Sequence, residues 1–279
     1  MKTTIYPCWI LLGKIKEASA FYLELFKEAS ILEDTEMVKT IQVLGQQIML
    51  LNEGPPTRPN PSISFMLNCT QVQETNTYWE KLSRGGKVLM PLDAYPWSPL
   101  YGWVEDRFGI SWQMNTHAEQ NHTQSISPVY LFSGDQAGKA AEAIQLYTRL
   151  FKDSKVQFIA RYTEKEGNPN FIKQAELNLD NYHIRLTDSP MEPAFPFNEG
   201  VSMVIPCRDQ QEIDRFWEGF LQAGAQALAC GWLKDPFGAC WQIVPHNIHN
   251  IMQDPRHGPT AFQAMLKMKK IIIADLLPD

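Results

Sequence analysis

The sequence predicts an α+β protein assembled from four βαβββ modules, two in each half of a duplicated chain. Three observations carry this expectation. Residues 102–113 read Gly-Trp-Val-Glu-Asp-Arg-Phe-Gly-Ile-Ser-Trp-Gln and residues 231–242 read Gly-Trp-Leu-Lys-Asp-Pro-Phe-Gly-Ala-Cys-Trp-Gln, identical at seven of twelve positions. Ala18, Phe21, Tyr22, Leu25 and Phe26 in the first half, and Ala143, Leu146, Tyr147, Leu150 and Phe151 in the second, share the spacing that gives an α-helix one apolar face. Around these helices the chain breaks into short apolar or alternating runs of strand length.

In order, residues 8–12 form an apolar strand, the first amphipathic helix follows, and strands are expected near 30–36, 39–44 and 47–52. The proline-rich run from Gly54 to Pro61 lacks the donors of a helix or central strand and reads as a connector. Ser62 to Cys69 restarts the pattern. Thr70 and Gln73 signal a capping box for a helix burying Thr75, Tyr78, Trp79 and Leu82, which ends at Gly85-Gly86. Strands near 87–90, 101–105 and 110–114 complete a first domain, 1–115. Residues 116–126 are polar and aperiodic, a linker, and the second domain spans 127–245. There Ser202, Cys207, Trp217 and Gly224 repeat Ser64, Cys69, Trp79 and Gly86, Asp209 and Glu212 open the second helix, and nothing matches the segment Leu92–Leu100. The tail, 246–279, is expected to hold one helix from Thr260 to Leu277.

The 279 residues suffice for two cores, and a formal charge of −6 argues against a nucleic-acid partner, which needs a basic surface. No apolar run reaches the roughly 20 residues of a membrane span, and the first residues have no signal-peptide pattern. Five cysteines without a CxxC pair suit reduced thiols in the cytoplasm. No G-x-G loop follows a parallel strand, so the chain lacks the usual S-adenosylmethionine-binding pattern.

The helix ending Phe21-Tyr22-Leu23-Glu24-Leu25-Phe26, its counterpart Tyr147 to Phe151, and the closing Phe-Gly-x-x-Trp-Gln resemble the vicinal oxygen chelate superfamily of glyoxalase I, bleomycin-resistance proteins and ring-cleaving dioxygenases. Leu51-Asn52-Glu53-Gly54-Pro55 and Ser62-Ile63-Ser64-Phe65 are similar to its PhnB-like branch, often labelled a 3-demethylubiquinone methyltransferase. The resemblance implies that the two modules of each domain pair into one open, curved sheet that half-encloses a cavity, and that the two domains associate as an intramolecular pseudo-dimer. Whether whole chains form a homodimer through the tail stays open.

Metal-dependent members of the superfamily place His or Glu ligands on four strands. The matching places here hold Pro7 to Trp9 or Pro128-Val129, Met49 to Leu51 or Ile184 to Leu186, Ser62 or Gly200, and Gln113 or Gln242. Neither copy offers three imidazole or carboxylate ligands, so no metal and no cofactor is expected. Strand alternation sets Trp112 and Met114 on one face and Ser111 and Gln113 on the other, and likewise opposes Trp241 to Gln242. The expected ligand-binding residues are Trp103, Gln113, Ser62, Ser64 and Trp97, with Trp232, Gln242, Ser202 and His183 from the second half. Tyr95-Pro96-Trp97 is a candidate lid, and His183, aligned with Ile48, is the one histidine inside an expected strand. Asp106 and Asp235 open an Asp-x-Phe-Gly turn and are expected to bond their own backbone. Asp188 and Glu53, beside the connectors, are solvated loop charges or binders of a cationic ligand. The function expected is binding of a small molecule without a catalytic metal. A metal-dependent lyase, isomerase or dioxygenase is the alternative, and the methyltransferase activity ranks below both.

Overall fold

A computed structural model describes residues 4–116, 124–190 and 194–276. The first module is β1 (Tyr6–Ile10), α1 (Ile15–Leu25), β2 (Ser30–Asp34), β3 (Val38–Val43) and β4 (Gln46–Leu51). The second is β5 (Ile63–Cys69), α2 (Val72–Ser83), β6 (Lys87–Tyr95), β7 (Ser98–Glu105) and β8 (Ser111–Thr116). The third is β9 (Ser125–Phe132), α3 (Ala140–Leu150), β10 (Lys155–Arg161), β11 (Ile172–Leu179) and β12 (Tyr182–Asp188). The fourth is β13 (Val201–Cys207), α4 (Gln210–Gln222), β14 (Gln226–Ala227), β15 (Trp232–Lys234) and β16 (Cys240–Pro245). Four βαβββ modules stand where the periodicity puts them.

They build two eight-stranded sheets. Sheet I has the order β14-β15-β16-β13-β1-β4-β3-β2, and sheet II the order β10-β11-β12-β9-β5-β8-β7-β6. Each sheet therefore joins a module from one half of the sequence to a module from the other. The central joints are antiparallel, with Cys8 opposite Ser202 in sheet I and Ser64 opposite Val129 in sheet II. Neither segment 1–115 nor segment 127–245 makes a sheet of its own.

Within a half, the two modules meet instead through their helix-bearing faces, around the second tryptophan of the repeat. Trp112 of sheet II lies 5.8 Å from Trp9 of sheet I and 5.7 Å from Phe26, ring centre to ring centre. Trp241 sits likewise 5.2 Å from Tyr147 and 5.4 Å from Phe220. Both indoles are almost fully buried. Such large rings each remove some 150–250 Å² from water and prefer edge-on or tilted contacts, as here.

The two connectors also lock together reciprocally. The Asn60 side chain donates to the Pro196 carbonyl at 2.9 Å, and the Asn198 side chain donates to the Arg58 carbonyl at 3.0 Å. Each asparagine then accepts from the amide two residues on, Ser62 or Gly200. A Cβ on Gly200 would fall 2.3 Å from the Pro59 nitrogen, so only glycine allows this crossing.

Two local expectations change and one holds. Thr70 pairs with Glu74 at 2.9 Å rather than with Gln73, and Gln71 is the N-cap of α2 without a side-chain bond. At α4 the expected cap forms, Asp209 accepting from the Glu212 amide at 2.9 Å. The tail is not one helix over 260–277 but α5 (Ile248–Gln253), α6 (Gly258–Met265) and α7 (Ile273–Leu276), and residue 277 lies outside the described residues. The reason is competition for the backbone. Cys230 and Gly231 donate their amides to the Met268 and Lys269 carbonyls at 2.8 and 2.7 Å, and Gln210 clamps the Ile271 carbonyl and the Ile273 amide. The tail thus occupies the edge left by the missing counterpart of 92–100: a Cβ on Gly102 would meet Leu92, and one on the equivalent Gly231 would meet Ile271.

Candidate ligand-binding site

In sheet II, every second residue of the central strands packs under the helices. Phe65, Leu67, Trp112, Met114, Tyr130, Ile184 and Leu186 are all buried there. Their strand neighbours point to the opposite, helix-free face. That face carries Ser64 and Met66 on β5, Ser111 and Gln113 on β8, Tyr101 and Trp103 on β7, Ser127 and Val129 on β9, His183 and Arg185 on β12, and Glu176 on β11.

Hydrogen bonds fix much of this floor. The Gln113 amide nitrogen donates to Ser64 Oγ at 2.7 Å and its oxygen accepts from the Tyr101 hydroxyl at 2.8 Å. The Trp103 indole N–H donates to Ser111 Oγ at 2.7 Å. Glu176 lies 3.4 Å from His183 Nε2 and 3.3 Å from an Arg185 Nη. The hydrogen bond from His183 holds the Glu176 carboxyl down at about 2, with the Arg185 charge adding to it. Burial pushes the Tyr101 phenol well above its ordinary range, so it acts as a donor.

Sheet I repeats the same arrangement with a different outcome. Gln242 donates to Ser202 Oγ at 2.9 Å, and Trp232 stands opposite Gln242 on β15. Cys8, beside this pair, is fully buried, and burial pushes its thiol up to about 12. The tail covers this face. Ile248 of α5 packs on Cys8, Val204 and Val244, and His249 reaches Glu33 on the far module at 2.6 Å.

Seven of the nine sequence-predicted residues divide into two groups. Trp103, Gln113, Ser64 and His183 share the helix-free face of sheet II, whereas Trp232, Gln242 and Ser202 share the covered face of sheet I. Ser62 lies in the connector turn before β5, its amide donating to Asn60. Trp97 sits at the tip of the β6–β7 hairpin, 63% exposed and stacked 5.0 Å from Tyr95. Register also corrects one alignment: Met49 faces Cys8 and Arg185 faces Val129, so His183 corresponds to Gln47, not Ile48. Arg185, Glu176, Tyr101 and Ser127 are additions that sequence reading passed over. The signal for Arg185 was present, because it stands two residues beyond His183 on an alternating strand.

The aspartates of the repeat are structural, as their turn position suggested. Asp106 accepts from the amides of Phe108 and Ile110, from the Tyr22 hydroxyl at 2.7 Å and from the Trp112 indole at 2.9 Å. Asp235 does the same with Phe237, Ala239, Tyr147 and Trp241. Asp188, fully buried rather than a solvated loop charge, accepts from the amides of Gly138, Ala140 and Ile172 and so ties β11 and β12 to the start of α3.

Four βαβββ modules paired into two sheets define the vicinal oxygen chelate fold. Glyoxalase I from Zea mays is similar in fold, with a TM-score of 0.61, 12% identity, and coverage of 91% of this chain and 98% of that one. The profile of the family described as 3-demethylubiquinone-9 3-methyltransferase matches residues 3–115 and 124–244, and the chain belongs to that family. The Escherichia coli K12 protein YjdN is 27% identical over 81 residues, and the match spans 29% of this chain and about half of YjdN, 55%. A PhnB protein from Bacillus cereus is 29% identical over 41% of this chain and 100% of that one, with a TM-score of 0.39.

The residues at the four places that hold a metal in enzymes of this fold do not suit one. Around the centre of sheet II they are Val129, Arg185, Ser64 and Gln113, and around the centre of sheet I Cys8, Met49, Ser202 and Gln242; the register moves the third place from the expected Ser62 and Gly200 to Ser64 and Ser202. A guanidinium repels a cation and cannot be deprotonated, and a neutral amide is a weak ligand. Among the described residues no three His, Cys, Asp or Glu side chains converge as a metal site, and no helix is long and apolar enough to cross a membrane.

Proposed function

We propose that this protein binds a small molecule on the helix-free face of sheet II, without a catalytic metal. One observation carries the reading: the metal-ligand places there are filled by a hydrogen-bonded amide–serine pair and an arginine. Trp103 supplies a flat apolar wall next to fixed donors, a combination that orients ligands in pockets. The corresponding face of sheet I lies under α5 and serves the packing of the tail. The two sequence halves, 1–115 and 127–245, act as an intramolecular pseudo-dimer within which this site is shared, and the protein works in the cytoplasm with its five cysteines reduced.

A thermal-shift screen of small metabolites, with and without divalent metal ions, tests the reading. Ligand binding to the native state raises Tm, and Trp103→Ala abolishes the shift while Trp232→Ala preserves it. S-adenosylmethionine is expected to give no shift, since the βαβββ order offers no glycine-rich loop at a parallel strand. A stoichiometric divalent ion that survives dialysis sinks the metal-free reading.

A further inference from the structure

We propose that the ligand of sheet II carries a carboxylate or phosphate-type anion, and that Arg185 is the residue that recognises it, with Ser127 beside it. This inference rests on the binding reading above and adds the chemical class of the ligand. Arg185 projects from β12 onto the helix-free face, opposite Val129 and in the place that Met49 takes in sheet I. Its side chain is only 11% exposed. One arm of the guanidinium meets Glu176 at 3.3 Å, yet the buried Nε has no hydrogen-bond partner. A buried donor left unpaired costs about 1–3 kcal/mol, so an acceptor is called for. The Nε and Nη donors of an arginine form a planar fork that fits two oxygens of one anion.

A second polar atom on the same face waits for a partner in the same way. Ser127 Oγ is buried and unpaired, and Ser127 stands two residues before Val129 on β9, opposite Met66 and two strands from Gln113. Arg185 is the cation beside three uncharged strands, because β9, β5 and β8 present Ser, Val, Leu, Met, Asn and Gln on this face. Glu176 does not cancel it. That carboxylate also holds His183, and Gln174 donates to it at 3.0 Å, so it anchors the guanidinium from one side and leaves the buried Nε without a partner. Arg185 to Ser64 spans two strand spacings, about 10 Å, the length of a small aromatic acid.

The test is titration of the full chain with benzoate, phenyl phosphate and neutral benzamide, read by tryptophan fluorescence and by Tm. The native protein is expected to bind the two anions about tenfold or more tighter than benzamide, the worth of a charge-assisted fork. Arg185→Met should erase the preference, and Ser127→Ala should weaken the anions alone by about threefold. Glu176→Gln should tighten anion binding, which a purely structural ion pair would not do. If Arg185→Met does not fold, Arg185→Lys keeps the charge but has no Nε, and it should still lose most of the preference. Equal affinity for benzoate and benzamide, or a preference that survives at position 185, overturns this inference and leaves the binding reading standing. Absence of binding by all three probes overturns both.

Discussion

Replacing Asp106 by Asn should destabilise the protein in a way that depends on pH, and the size of the effect follows from the turn's geometry. Asp106 is 3% exposed and accepts four hydrogen bonds. Burial nevertheless pushes its carboxyl from 3.8 up to about 6, against the pull of Tyr22, Trp112 and two backbone amides. The folded state therefore holds the proton more tightly than the unfolded chain. The resulting stabilisation is fully present below about 3.8 and is lost as pH rises through about 6. With those two values, the carboxyl contributes about 1.4 kcal/mol more stability at pH 5 than at pH 7.5.

Asparagine has no such titration. Its oxygen can still accept the Phe108 and Ile110 amides, but its NH2 group then faces the Tyr22 hydroxyl and the Trp112 indole N–H. The hydroxyl can turn to accept; the indole cannot. One buried donor is stranded, a cost of about 1–3 kcal/mol at pH 7.5. Urea unfolding followed by tryptophan fluorescence should show this deficit, and the gap between native protein and variant should widen by about 1.4 kcal/mol at pH 5. The double variant Asp106→Asn/Asp235→Asn should widen it by about twice that, since burial sets Asp235 at about 6 as well. A gap that stays constant, or narrows at pH 5, refutes the assignment of a proton-binding buried turn.

Three further outcomes are expected. Proteolysis within 117–123 should leave the halves associated on size-exclusion chromatography, because each sheet contains strands from both, and separation under native conditions would contradict the topology. Truncation after Pro245 should lower Tm and raise binding of a hydrophobic dye, since it uncovers Cys8, Val204 and Val244 and frees the amides of Cys230 and Gly231. Trp112→Ala should cost about 3–5 kcal/mol in urea unfolding, whereas Trp97→Ala, at an exposed hairpin tip, should stay within about 0.5 kcal/mol.

Much of the architecture is legible in the sequence because local rules act within one module. The helical spacing of Tyr22 and Phe26, the alternation around Trp112, and the Asp-x-Phe-Gly turn depend on neighbours a few residues away. The pairing of modules between halves is not local. It rests on the β1–β13 and β5–β9 joints and the crossed Asn60 and Asn198 bonds, which link residues far apart in the chain. For the site, Gln113, Ser64 and Trp103 were readable as one face. Arg185 is readable as sharing a face with His183, but neither it nor Glu176 is readable as a neighbour of Gln113, because nothing in either half alone shows that β12 closes the same floor as β8. The tail misled for a related reason: its helical spacing is real, but the free amides at Cys230 and Gly231 compete for its backbone.

The crossed pairing constrains how the two faces can differ. In each sheet one side of the centre comes from the second or fourth module and supplies the same clamp, Gln113 with Ser64 or Gln242 with Ser202. The other side comes from the third or first module, and there the copies disagree: Val129 and Arg185 against Cys8 and Met49. The shared amide–serine pair therefore belongs to the common frame, and the character of each face is set by the modules that open the two halves. Exchanging Arg185 and Met49 alone changes the charge of each floor by one unit without touching the clamp or the aromatic cores, which lie on the opposite side of both sheets. Such an exchange should remove anion selectivity from sheet II. It should not create selectivity in sheet I, where α5 and Ile248 cover the face. A sheet I that gained anion binding while its tail remained in place would show that the cover opens, and that both faces, not one, are used.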